Sequence, residues 1–107
     1  MKKRYVLIPA YKPGETLLSF IQALEERNLN VIVVNDGSGE EYLPLFQKME
    51  DHTGVKLIQL EQNRGKGAAL KAGLSYLQTL DENFQIITVD ADGQHSLQDK
   101  LFLLEEG

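Results

Sequence analysis

Short apolar runs alternate along the chain with stretches whose apolar residues recur every three or four positions, and turn formers separate the two. Tyr5–Ile8 is an apolar run closed by Pro9, which predicts a first strand. The turn YKPGE follows, punctuated by Pro13 and Gly14. Leu17, Ile21 and Leu24 then recur at helical spacing, with Leu18 alongside. Val31–Val34 is β-branched throughout and runs into NDGSG, a loop of turn formers. Tyr42, Phe46 and Met49 form a second helical stripe, whose Pro44 is tolerable only within the first turn. Val55–Leu60 predicts strand three, Gly67–Leu80 a third helix and Gln85–Val89 strand four. Ser96 would cap a fourth helix carrying Leu97, Leu101 and Leu104, with Asp99 completing an S-x-x-D box.

Alternation of strand and helix predicts an α/β fold: a Rossmann-like, mostly parallel sheet with right-handed crossovers and helices on both faces. The runs VIVV and IITV are continuously hydrophobic, as strands covered on both faces should be. Neither an internal linker nor a repeat interrupts the pattern. Open α/β sheets bind ligands at the carboxyl ends of their strands. Here those ends carry PAYKPGE, NDGSG, EQNRGKG and DADGQH, so the polar chemistry collects along one edge.

Composition narrows the function. A chain of 107 residues makes one domain, and its net charge of −5 argues against a nucleic-acid surface. The absence of cysteine excludes disulfides and cysteine-based zinc sites and fits a reducing, cytoplasmic setting. The first apolar run is broken by Pro9 and Lys12, too short for a signal-peptide core, and nothing later spans a bilayer. No membrane contact is therefore expected from this segment; any such association would come from segments outside it.

The clearest chemistry lies in DADGQH. If the strand extends past Val89, Asp90 and Asp92 point the same way, and two like charges so close call for a cation. A calcium loop does not fit, because Gln94, His95 and Leu101 stand where that loop needs an acid, a glycine and a glutamate. A hard divalent ion shared with phosphate oxygens, Mg²⁺ or Mn²⁺, does fit. In NDGSG, Asp36 follows strand two, where nucleotide-binding sheets place an acid against ribose or base; as a plain loop residue it would only cap the turn. EQNRGKGAALKAG is neither a Walker A motif nor a dinucleotide fingerprint. Arg64 and Lys66 with two glycines at a helix start still make an anion seat, while Ala68, Ala69, Ala72 and Gly73 suit close helix–sheet packing. His52 is expected to be solvated and His95 incidental to the metal; no Ser–His–Asp set or cysteine nucleophile is present.

Taken together, IPAYK, VVNDGS, NRGKGAAL and DADGQH, in this order and spacing, resemble the family 2 glycosyltransferases. The wording of DADGQH is nearest to the polyprenol-phosphate sugar transferases of the dolichol-phosphate mannose synthase type. The resemblance runs from about Tyr5 to the end of the chain. It implies the A-type glycosyltransferase fold, of which this chain would be the N-terminal, nucleotide-sugar-binding half. Pro9, Ala10 and Tyr11 would then line base and ribose, with Glu15 near the base. Asp36 would recognise the uracil or guanine ring, with Ser38 nearby. Lys66 would lie against the nucleotide, Asp90 against the ribose or the metal shell, and Asp92 on the divalent ion that bridges the diphosphate. The donor implied is a nucleotide sugar, UDP-sugar favoured over GDP-sugar, and the acceptor a polyprenol phosphate or glycan. Two features depart from the family. Lys12 stands where Asn is usual, and Lys-Pro-Gly intervenes before Glu15. No residue can be assigned as catalytic base, which the family carries in a second half beyond Gly107. Residues 1–107 are therefore expected to form a donor-binding domain that is inactive alone. The alternative is a non-catalytic, regulatory nucleotide-binding α/β module. A nucleotidyltransferase would need a Gly- and Arg-rich loop after strand one, and a receiver domain would need an acid where Pro9 stands and would not explain NRGKG.

Overall fold

The computed structural model describes residues 3–80 and 83–89. Four strands, β1 (Lys3–Ala10), β2 (Asn30–Asp36), β3 (Val55–Leu60) and β4 (Phe84–Thr88), alternate with helices α1 (Glu15–Glu26), α2 (Leu43–Glu50) and α3 (Lys66–Gln78). A single 3-10 turn, Glu40–Tyr42, leads into α2, and Pro44 falls in the first turn of that helix, where its missing N–H costs nothing. All strand pairs are parallel, in the order β3-β2-β1-β4.

That order explains the distribution of helices. The chain steps from β1 to β2 to β3 in one direction and then returns past β1 to β4. Crossovers of one hand must then place the last helix on the opposite face. Accordingly α1 and α2 cover Val6, Ile8, Val31, Val33 and Leu57 with Leu17, Ile21, Leu24, Phe46 and Met49. On the other face α3 sets Ala69 and Leu77 against Tyr5, Leu7, Ile32 and Val34. Gly73 lets that helix approach, since a Cβ there would collide with the Leu7 side chain. The reversal of direction between β1 and β4 is the switch point where open sheets leave a crevice.

Three expectations change. Pro9 does not close β1, which continues to Ala10 and pairs Pro9 with Val34. The Leu7 carbonyl accepts a hydrogen bond from the Val89 N–H at 3.0 Å, so Leu7, and by alternation Pro9, turn their backbone groups toward β4. Pro9 lies past the last β1–β4 ladder pair, Leu7 with Thr88, so its missing N–H interrupts nothing. Strand four is only partly covered by the described residues: Ile87 packs on the α1–α2 side and Phe84 and Ile86 on the α3 side, each half-buried, while Gln85 and Thr88 are exposed. β4 pairs with β1 alone among the described strands, whereas β2, between β1 and β3, is buried from Val31 onward. Finally, His52 is not simply solvated; its Nδ1 lies 3.1 Å from Glu25 Oε2 and ties the turn after α2 to α1. The helix expected after Ser96 lies outside the described residues.

Candidate functional site

Three segments meet at the carboxyl edge of the sheet. From β1 come Pro9, Ala10 and Tyr11, the first two buried and Tyr11 37% exposed. Lys12 turns the chain there with φ +49°, a left-handed conformation that a lysine adopts at a cost. Its ammonium sits 5.3 Å from the centre of the Tyr11 ring. Its backbone N–H donates to Ser38 Oγ at 2.9 Å.

From β2 and the loop after it come the buried polar residues among those described, Asn35, Asp36 and Ser38, exposed by only 3%, 4% and 2%. Burial of polar atoms is tolerable only when they are hydrogen-bonded, and each of these side chains holds backbone. Asn35 Oδ1 accepts the Ser38 N–H at 3.0 Å and shapes the turn. Asp36 reaches across to the loop before α3, accepting the Arg64 N–H at 2.8 Å and the Gly65 N–H at 3.0 Å, one on each carboxylate oxygen. Gly37, at φ +64°, is pressed so closely on that loop that a Cβ would collide with the backbone of Gln62 and Asn63. The β2 end is thus bound to both neighbouring loops.

The third segment opens α3. Its N-cap, Gly65, has no side chain to cap the helix, and Asp36 does so from a distance, placing a negative charge at the positive end of the helix dipole. This modifies the anion seat read from NRGKG. The Arg64 and Gly65 amides are already engaged by Asp36, so two of the backbone donors of that seat are taken.

Between these segments lies a cavity of about 200 Å³, lined by Pro9, Ala10, Tyr11, Asp36, Asn63, Gly65 and Lys66. Five of its lining residues were expected from sequence as nucleotide-binding: Pro9, Ala10, Tyr11, Asp36 and Lys66. Ser38 lies behind the wall, its hydroxyl engaged by Lys12. Glu15, the first residue of α1, is exposed and does not line the cavity. Asn63 was missed; its only signal in sequence was its place in the turn between strand three and the glycines. Asp90, Asp92 and His95 lie outside the described residues. Val89, hydrogen-bonded to Leu7, carries the chain to this same edge. Among the described residues no three His, Cys, Asp or Glu side chains could hold a metal ion together. No helix among them is long and apolar enough to cross a membrane.

The chain is similar to known proteins. An uncharacterized protein of Methanocaldococcus jannaschii is 29% identical over 102 residues, 94% of this chain and 44% of that protein. The UDP-N-acetylglucosamine–dolichyl-phosphate N-acetylglucosaminyltransferase of Methanococcus voltae is 30% identical, over 89% of this chain and 43% of the relative. This chain therefore spans less than half the length of either protein. Among solved structures, S. aureus TarS residues 1–349 in complex with UDP superimposes with a TM-score of 0.65 at 24% identity, over 97% of this chain and 32% of that one. That likeness establishes the shared fold. The family model "Glycosyl transferase family 2" matches residues 5–105, nearly the whole sequence, and the chain belongs to that family.

Proposed function

We propose that this chain is the donor-binding part of a glycosyltransferase, and that its cavity receives the nucleoside diphosphate of a nucleotide sugar, uridine diphosphate in preference to guanosine diphosphate. The observation that carries this reading is the make-up of the cavity wall: an aromatic ring, a buried carboxylate and a lysine at one carboxyl edge of a parallel sheet. Tyr11 offers a ring face on which a base or ribose can stack. Each Asp36 oxygen accepts one backbone bond, and a carboxylate has about four acceptor positions, so capacity remains for a base imide N–H. Lys66 brings positive charge to the phosphates.

Support also comes from the relatives. TarS has been solved with UDP, and the M. voltae relative is named for a UDP-sugar donor and a dolichyl-phosphate acceptor. On that basis the acceptor proposed is a polyprenol phosphate or a glycan, and no residue of this chain is assigned as base. The metal proposed is Mg²⁺ or Mn²⁺ on Asp90 and Asp92, from the D-x-D that follows β4. Such an ion neutralises charge on the departing diphosphate.

Titration calorimetry of UDP and GDP, with and without Mn²⁺, on the wild-type chain and Asp92→Asn tests the reading. UDP should bind, and metal and nucleotide should strengthen each other's binding by one common factor, as linkage requires. Asp92→Asn should remove most of that coupling and leave metal-free UDP affinity nearly unchanged. Binding of neither nucleotide would overturn the donor-site reading. UDP binding indifferent to metal would reduce Asp90 and Asp92 to an acidic turn.

A further inference from the structure

We infer that Ser38 is a positioning residue that acts on the nucleotide through Tyr11. The inference rests on the donor-site reading and adds to it a residue that touches no part of the cavity. Ser38 is 2% exposed and absent from the cavity lining, so its side chain has no route to a ligand there. Its own position is fixed, since its N–H donates to Asn35 Oδ1 at 3.0 Å at the buried end of β2. Its hydroxyl accepts the N–H of Lys12 at 2.9 Å, across 26 positions of sequence. Lys12 is one of two non-glycine residues with positive φ among those described. Such a conformation is strained for any residue but glycine, and surrounding contacts must offset the strain.

The consequence falls on Tyr11. β1 ends at Ala10, so Tyr11 sits between a rigid strand and a strained turn. It is 37% exposed, and the Lys12 ammonium lies 5.3 Å from the centre of its ring. The Lys12 N–H belongs to the planar peptide that joins it to Tyr11, so the bond to Ser38 fixes the backbone that carries the ring. Without that hydroxyl, Lys12 can relax toward negative φ, and both the ring and the ammonium above it leave their places at the rim. Stacking on a ring is insensitive to which pyrimidine it holds. Ser38 should thus strengthen UDP and CDP binding alike, unlike a group that reads the uracil imide N–H, which cytosine lacks.

The test combines binding with a direct view of the ring. In Ser38→Ala, affinities for UDP and CDP should fall by the same factor, about three- to tenfold, the range that loss of one hydrogen bond gives. Ser38→Thr keeps the hydroxyl and should bind nearly as wild type. In a Tyr11→Ala background, Ser38→Ala should cost almost nothing further, because the ring it positions is gone. With 3-fluorotyrosine incorporated, the fluorine resonance of Tyr11, assigned by Tyr11→Phe, should shift or broaden in Ser38→Ala, while those of Tyr5, Tyr42 and Tyr76 stay in place. An unmoved Tyr11 resonance overturns the inference, as does an equal loss of affinity with and without Tyr11. If wild type binds neither nucleotide, the donor-site reading fails by itself, and the fluorine spectra of the ligand-free protein still decide whether Ser38 positions Tyr11.

Discussion

Replacing Gly37 with alanine is the sharpest probe of how the site is built. Gly37 lies between the last residue of β2 and Ser38, at φ +64°, in the region that favours glycine. Alanine there incurs about 1–2 kcal/mol of backbone strain. It also meets matter that cannot turn away: the new Cβ would collide with Asn63 and Gln62 backbone, with the Gln62 Cα at 2.9 Å. Overpacking against backbone adds about 1–3 kcal/mol. The sum is a loss of roughly 2–5 kcal/mol, a large part of what a domain of this size has. Equilibrium urea unfolding followed by circular dichroism measures it, and the slope should stay at the wild-type value if only the native state is strained. Gly67→Ala is the control. Gly67 lies in α3 with nothing within 4 Å of a built Cβ, and alanine there should be neutral or stabilising by up to about 1 kcal/mol. A Gly37→Ala loss below about 2 kcal/mol would mean that the two loops do not meet as described, since strain alone would account for it.

Asp36→Ala should lower stability by about 1–3 kcal/mol even without nucleotide, because the Arg64 and Gly65 amides lose their acceptor; unfolding of the ligand-free chain checks it. Lys66→Ala should weaken UDP about ten- to a hundredfold by calorimetry, with a smaller effect at high salt. Glu15→Gln should change UDP affinity by less than about twofold, since the residue is exposed and outside the cavity lining; a large loss would restore the base contact implied by family resemblance.

Sequence carried the architecture because hydrophobic period and turn chemistry agreed along most of the chain. Val31–Val34 could be read as a strand covered on both faces from its continuous hydrophobic run, and β2 is that strand. The small residues Ala69 and Gly73 announced close packing and are buried against β1 and β2. The errors have a common physical origin in the sheet order, which local pattern does not encode. Pro9 reads as a stop until its backbone is known to face the side where β4 has ended. IITV reads as fully buried, whereas Ile86 and Ile87 are half-buried on opposite faces and β4 pairs with β1 alone among the described strands. At the site, residue types at strand ends identified most of the cavity wall. Their partners were not legible, because Asp36 with Gly65 and Ser38 with Lys12 are contacts between segments 29 and 26 residues apart. Glu15 lies outside the cavity lining, because a match of motifs fixes its position in the chain and not the direction in which the start of α1 faces.

The central claim is that the cavity between Tyr11, Asp36 and Lys66 is where nucleotide binds. The most direct measurement is a titration of ¹⁵N-labelled chain with UDP in the presence of Mg²⁺, read amide by amide. The account predicts that the amides of Tyr11, Asn63, Gly65 and Lys66 shift together and saturate along one binding curve. Those of Asn28, Thr53 and Gly54, which line a second cavity at the opposite edge of the sheet, should stay still. Saturable shifts confined to that opposite edge, or none at the carboxyl edge at millimolar UDP, would contradict it.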